Sequence, residues 1–144
     1  MTAIREQIFA AIETRLGAIT SPAVAEVRRM PGGDPTRLPA LFIFDQGDRI
    51  AEDEEETDTM AFVMSVGIDG FVAGDASHTA ANALYAAVIE ALFPQPVLGG
   101  LATEIRIERL NMAVAERAKD HRLGFGLELN IHYHTRFGEP QQPA

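Results

Sequence analysis

Between residues 122 and 135 the chain alternates without interruption. Leu123, Phe125, Leu127, Leu129, Ile131 and Tyr133 fall on one parity, and Arg122, Gly124, Gly126, Glu128, Asn130, His132 and His134 fall on the other. A period of two sustained over so many positions buries one face only as a β-strand. The run is longer than the usual strand of about five or six residues, which predicts the spine of a sheet and an overhang available to a neighbouring subunit. The rest of the chain must cover the apolar face of this strand.

Two segments have the pattern to do so. In residues 2–19, Ile4, Ile8, Ile12 and Leu16 recur at every fourth position, with Ala11 and Ile19 widening the stripe. This predicts an amphipathic helix ended by Gly17 and Pro22. Phe9 lies off the stripe, either packed at the margin of the core or docked on a partner. Residues 76–93 predict a second helix, with Asp75 as its N-cap, Pro94 and Pro96 as its stop, and a stripe of Ala80, Ala83, Leu84, Ala87, Val88, Ala91 and Leu92. Alanines on that stripe would let the helix lie close to a sheet.

The remaining strands follow from composition and phase. Residues 24–30 predict a short strand, and 31–35, with two prolines and two glycines, a loop. That glycine pair lacks both the GxGxxG pattern and a following Gly-Lys-Ser/Thr, so it does not predict a phosphate cradle. Residues 38–44 form a dense apolar run, predicting a strand buried on both faces and ended by Gln46, Gly47 and Asp48. Residues 59–72 place Met60, Phe62, Met64, Val66 and Ile68 on one face and the small set Ala61, Val63, Ser65 and Gly67, with Asp69, on the other. That second face is expected to pack closely on a helix or another chain. In residues 101–116 the apolar parity changes from Ile105 and Ile107 to Leu110, Met112 and Val114, which predicts a bulge near Arg109. A polar turn is expected at 115–120.

The expected fold is α+β: a mixed, largely antiparallel sheet of about five strands with two helices on one face, in the order α-β-β-β-α-β-β. Residues 1–136 are expected to form one domain, with an exposed acidic loop at 49–58, and residues 137–144 a flexible tail. A chain of 144 residues is long enough for one core of ordinary size.

Charge narrows the function. The chain has 12 basic and 21 acidic residues, a formal net charge of −9, which argues against gripping nucleic acid by phosphate neutralisation. A surface past which DNA slides remains compatible with that charge. Glu52, Asp53, Glu54, Glu55, Glu56 and Asp58 supply six of the acids, and without them the balance is 12 against 15, or −3. Burying unpaired carboxylates costs several kcal/mol each, so this run is expected to be exposed, as a solvated loop or as an arm ordered by a partner. The absence of cysteine excludes disulfides and thiol catalysis. No apolar run approaches the roughly 20 residues of a membrane span, and the N-terminus lacks a signal-peptide pattern, so synthesis in the cytoplasm is expected.

Catalytic patterns are sparse. There is no GxSxG elbow, and the serines are Ser21, Ser65 and Ser77. His132 and His134 share one strand face at a spacing that a metal site can use if a third ligand joins them, and His78, His121 and many carboxylates are candidates. The bland alternative is a pair of surface or interface histidines around a core tyrosine. Glu104, Arg106 and Glu108 read as a ladder of surface ion pairs.

Several features together resemble one known family. They are the opening amphipathic helix, Leu38-Pro39-Ala40-Leu41 leading a buried strand, the acidic loop, the Ala80-Ala81-Asn82-Ala83-Leu84-Tyr85-Ala86-Ala87-Val88 helix, and the closing Leu127, Leu129, Ile131, Tyr133 and Thr135 with Arg136 and Glu139-Pro140. The chain resembles the tail terminator proteins of long-tailed bacteriophages and of phage-like gene transfer agents. The resemblance implies a subunit of a six-membered ring at the head-proximal end of the virion tail, assembled in the host cytoplasm. The ring halts tube polymerisation, offers the surface for head–tail joining and passes DNA through its channel. Its implied partners are other copies of itself, the tail tube protein and the head–tail connector, with no membrane, no cofactor and no catalytic residues. On this reading Glu52, Asp53, Glu54, Glu55, Glu56 and Asp58 meet the tube or neck partner, and His132, His134 and Arg136 meet a neighbouring subunit or the lumen. The alternatives are another tail-tube or neck connector subunit, and a small metal-dependent enzyme using His132 and His134.

Overall fold

In the computed structural model, which describes residues 2–51, 58–73, 78–112, 115–116 and 121–143, the alternating segment is the strand to which most of the sheet attaches. The elements in order are α1 (Ile4–Gly17), β1 (Glu26–Arg29), β2 (Ala40–Ile50), β3 (Thr59–Ala73), α2 (His78–Leu92), a 3-10 turn at Val97–Gly100, β4 (Glu104–Asn111), β5 (Ala115–Glu116), β6 (His121–Arg136) and β7 (Glu139–Pro143). The sheet runs β1-β2-β3-β6-β4, with the short β5 and β7 also paired to β6. Every pairing is antiparallel except β1 with β2, which is parallel. The chain is α+β with a mixed sheet and two helices, as expected, and its main path has five strands.

Both helices pack on one face. Ile4, Ile8, Ile12 and Leu16 of α1 and Leu84, Val88 and Leu92 of α2 join Met64, Val66 and Ile68 of β3 and Phe125, Leu127, Leu129 and Ile131 of β6 in one core. Burying each large aliphatic chain there stabilises the fold by about 1.5–3 kcal/mol. Phe9 is only 2% exposed and lies at the margin of this core, with the Arg5 and Arg29 guanidinium carbons each 5.6 Å from its ring centre. This matches the packing reading of Phe9. The close approach of α2 is real, but it comes through Ala81, which is buried, and not through Ala80 and Ala83. A Cβ on Gly124 would stand 3.0 Å from the Ala81 Cβ, so a side chain there would push the helix off the sheet.

Residues 40–43 of β2 are buried on both faces as predicted. Leu41 and Ile43 enter the main core. Ala40 and Phe42 join Phe71 on the opposite face, with the Phe42 and Phe71 rings 5.0 Å apart. The bulge expected near Arg109 is present, since the β4–β6 register shifts between Ile107 and Arg109.

Several expectations are corrected. Strand β2 does not end at 46–48 but crosses a bulge between Asp45 and Asp48 and continues to Ile50, so residues 49 and 50 belong to the sheet and not to the acidic loop. The alternation of β6 is interrupted at Gly124, where the register with β3 slips by one residue. Residues 115 and 116 pair with Leu123 and Arg122, and do not lie in a turn. The segment expected to be a flexible tail includes β7, which pairs Glu139 with Arg136 and Pro143 with Thr135. The expected N-cap Asp75 and the acids Glu52, Asp53, Glu54, Glu55 and Glu56 lie outside the described residues.

Candidate functional site

Because the helices take one face of the sheet, the even-numbered positions of β6 from Gly126 onward are left on the other. The register then sets four rows across it: Phe42–Asp69–Gly126–Asn111, Phe44–Gly67–Glu128–Arg109, Ser65–Asn130–Arg106, and Arg49–Val63–His132–Glu104. The face of β3 expected to meet a helix or another chain is this one, and among the described residues no helix packs on it. A trough of about 450 Å³ crosses four strands here, lined by Phe44 and Gln46, Gly67 and Asp69, Gly126 and Glu128, and Arg109 and Asn111. Gly67 and Gly126 lower its floor, and a Cβ on Gly67 would reach 2.8 Å from the Gln46 amide nitrogen.

His132, His134 and Arg136 all lie along this strand face, the histidines half-buried and Arg136 exposed. The Thr103 amide and hydroxyl both donate to the His132 carbonyl, at 2.8 and 3.2 Å. The His132 Nε2 stands 3.9 Å from Glu104 Oε2, an ion pair only when the ring is protonated. His134 lies opposite Ala61 and Arg136 opposite Thr59. No third His, Asp or Glu joins the two histidines in a metal-sized cluster among the described residues. His78 stands on α2 beside Asn82, and His121 at the far end of β6 pairs with Ala73. The expected Glu104–Arg106–Glu108 ladder is half formed. Arg106 Nε donates to Glu104 at 2.7 Å, while Glu108 accepts from the Asn130 amide at 3.0 Å. Of the acidic run, only Asp58 is described, and its carbonyl accepts from the Phe137 amide at 2.8 Å.

The arrangement that sequence reasoning missed sits on the helix side. In a regular strand Asp45 and Asp48 would face opposite ways. The β2 bulge turns both toward α1, with Gly47 at a φ of 91° and its amide donating to Asp45 Oδ1 at 3.0 Å. Arg5 bridges them, Nη2 reaching Asp45 and Asp48 at 2.9 Å each and Nε reaching Asp48 at 3.3 Å. The Arg5 contact, with help from the Gly47 amide and against the cost of burial, holds the Asp45 carboxyl below the usual range. Arg29 forms a parallel tie, to Glu6 at 2.8 Å and Glu13 at 3.0 Å. A glycine between two aspartates three apart was the available signal for this bulge.

The Tyr133 hydroxyl completes the cluster by donating to Asp48 Oδ2, and the Tyr133 ring stacks on Phe62 at 5.1 Å. Burial first, then the Asp48 hydrogen bond, push the Tyr133 phenol above its ordinary range. Tyr133→Phe should therefore cost about 1.5 kcal/mol, the value of a hydrogen bond to a charged acceptor. Because the folded phenol titrates higher than the unfolded one, that difference is complete below the ordinary phenol range and shrinks as pH rises past about 10. Urea melts of the two proteins at neutral and strongly alkaline pH check this, and an equal stability at neutral pH would show that the hydroxyl contributes nothing.

No protein-family model matches the chain, and no curated protein matches it. Among solved structures, a chain from one described as the virion of a native gene transfer agent (GTA) particle has the same fold, with a TM-score of 0.50, 19% sequence identity, and coverage of 90% of this chain and 90% of that chain.

Proposed function

We propose that this chain is a structural virion protein that closes the tail tube as a ring of six, stops tube polymerisation and forms the surface on which the head is joined. The observation that carries this reading is the fold shared along nine-tenths of both chains with a component of a gene transfer agent virion. Such a match involves the whole domain and not a local motif. The sheet face on which no helix packs among the described residues supports it, because a four-strand surface of mixed charge gives a ring subunit something to present to a neighbour or to a channel. On this reading His132, His134 and Arg136 face a neighbouring subunit or the lumen. Glu52, Asp53, Glu54, Glu55, Glu56 and Asp58 meet the tube or the head–tail connector. A net charge of −9 suits a channel through which DNA passes without being held. The ring sits at the head-proximal end of the tail, is assembled in the cytoplasm, and performs no catalysis.

Native mass spectrometry over a dilution series, without metal and then with zinc, tests the reading alongside electron microscopy of the same sample. A closed six-membered ring that stops tubes from lengthening is the expected result. Growth of the chain alone into long tubes would assign it to the tube, and a monomer that binds one zinc tightly would favour a metal-dependent enzyme.

A further inference from the structure

Among the described residues, an exposed aromatic side chain and an apolar cleft stand at opposite ends of the same strand. At one end, Arg136 pairs with Glu139, so Phe137 and Gly138 form a two-residue hairpin turn between β6 and β7. Gly138 takes a φ of 73°, in the left-handed region that glycine enters without steric cost. The Phe137 side chain at this tip is 68% exposed, while its backbone is held by the hydrogen bond to Asp58. Ile50, 66% exposed, ends β2 at the same end of the sheet. A large aromatic ring fixed at a hairpin tip and left in water contributes nothing to the fold of its own chain.

At the other end lies an apolar cleft of about 350 Å³, lined by Pro22, Leu38, Pro39, Ala80, Ala83 and the end of β3. Leu84 and Val72 are buried at its base. This accounts for the two alanines of the predicted stripe that do not face the sheet: Ala80 and Ala83 form a wall of the cleft. Strand β3 separates the two features. Thr59, at its start, pairs with Arg136 beside the hairpin, and Ala73, at its end, lines the cleft. At about 3.3 Å per residue the separation is roughly 45 Å, so a chain cannot place its own Phe137 in its own cleft.

We propose that Phe137 of one copy inserts into the Pro22/Leu38/Pro39/Ala80/Ala83 cleft of the next. Knob and cleft lie on different surfaces of the subunit, so the contact is head-to-tail, the kind that generates a closed ring or an open filament. It supplies the subunit contact of the ring proposed above and rests on that reading only for closure. The knob is preorganised by its turn, so little conformational freedom is lost on docking. A single aromatic side chain buries only about 150–250 Å², well short of the roughly 1,200 Å² of a stable interface. Phe137 is thus the anchor of the contact, and association is concentration-dependent.

The test uses the full chain and two variants, followed by sedimentation velocity and electron microscopy from low micromolar to near-millimolar concentration. Phe137→Asp removes the knob and leaves Gly138 at its left-handed position in the turn. Ala83→Glu blocks the cleft from an exposed helical position that tolerates glutamate. The unaltered chain is expected to associate, and each variant alone to lose roughly thirtyfold in association constant, as for a buried aromatic hot spot. An equimolar mixture of the two variants retains one intact knob and one intact cleft, and should form a two-subunit complex and stop there. That dimer also shows that both variants are folded. A wild-type chain monomeric throughout, either variant assembling like wild type, or a mixture no more associated than its parts would each overturn the contact. Rings formed by wild type and by both variants would remove the contact and leave the ring standing. Wild-type filaments abolished by either variant would do the reverse.

Discussion

Gly70→Ala is expected to destabilise the protein by about 3 kcal/mol, at the upper end of what overpacking costs. Gly70 pairs directly with Phe125 across β3 and β6, and a methyl group there would fall within 3.0 Å of three atoms of the Phe125 ring. That ring cannot retreat. It is wholly buried, and Tyr85 of α2 meets it edge-on at 6.0 Å. For a domain of this size the loss corresponds to a drop of roughly 10 °C in Tm. Combining Gly70→Ala with Phe125→Leu should recover part of it, giving a coupling of about 1 kcal/mol or more. Chemical melts of the two single variants and the double variant measure this directly. A cost below about 1 kcal/mol for the alanine alone would mean that the ring has room to move.

The second large effect is expected at Arg5. Arg5→Ala leaves Asp45 and Asp48 facing each other with none of their three hydrogen bonds to the guanidinium. The Arg5 side chain is 39% exposed, so solvent screens part of the interaction and the expected loss is about 2 kcal/mol. Its pH dependence identifies the cause. The Asp45 carboxyl titrates lower in the folded chain than in the unfolded one, because of Arg5. Its contribution is therefore present above the ordinary carboxylate range and is lost as pH falls through the lower, folded value. The gap between wild type and variant should be widest near neutrality and narrow below about pH 4. A gap that stays constant down to strongly acidic pH would assign the loss to the Arg5 guanidinium lying over the Phe9 ring.

How much of this was legible in the chain depends on the distance over which each signal acts. The fourfold spacing of Ile4, Ile8, Ile12 and Leu16, the dense run at 38–44 and the parity change before Leu110 are local patterns with one physical solution each, and all three are found, the strand in the dense run beginning at Ala40. The bulge at Gly47 was hidden because Gln46-Gly47-Asp48 reads equally well as the end of a strand. Only the arrival of Arg5, forty residues earlier in the chain, makes its continuation favourable. Ala80 and Ala83 look like core residues by composition, since alanine carries little information about which way it faces. The parallel pairing of β1 with β2 and the docking of β7 depend on contacts between segments far apart, as does the trough. Its lining residues come from four strands, and no short motif records them.

The position of β6 in the sheet has a kinetic consequence. This strand bonds to β3, β4, β5 and β7, yet it is among the last segments in the chain. The β2–β3 hairpin can form early, because its pairings are local. The edges of β3 and β4 that β6 will occupy stay unpaired until residues 121–136 are available. Pairings this distant in sequence slow folding, and open strand edges recruit other chains while they wait. Newly made copies therefore meet their greatest risk of mispairing before the sheet closes, a hazard that grows with the concentration of the chain.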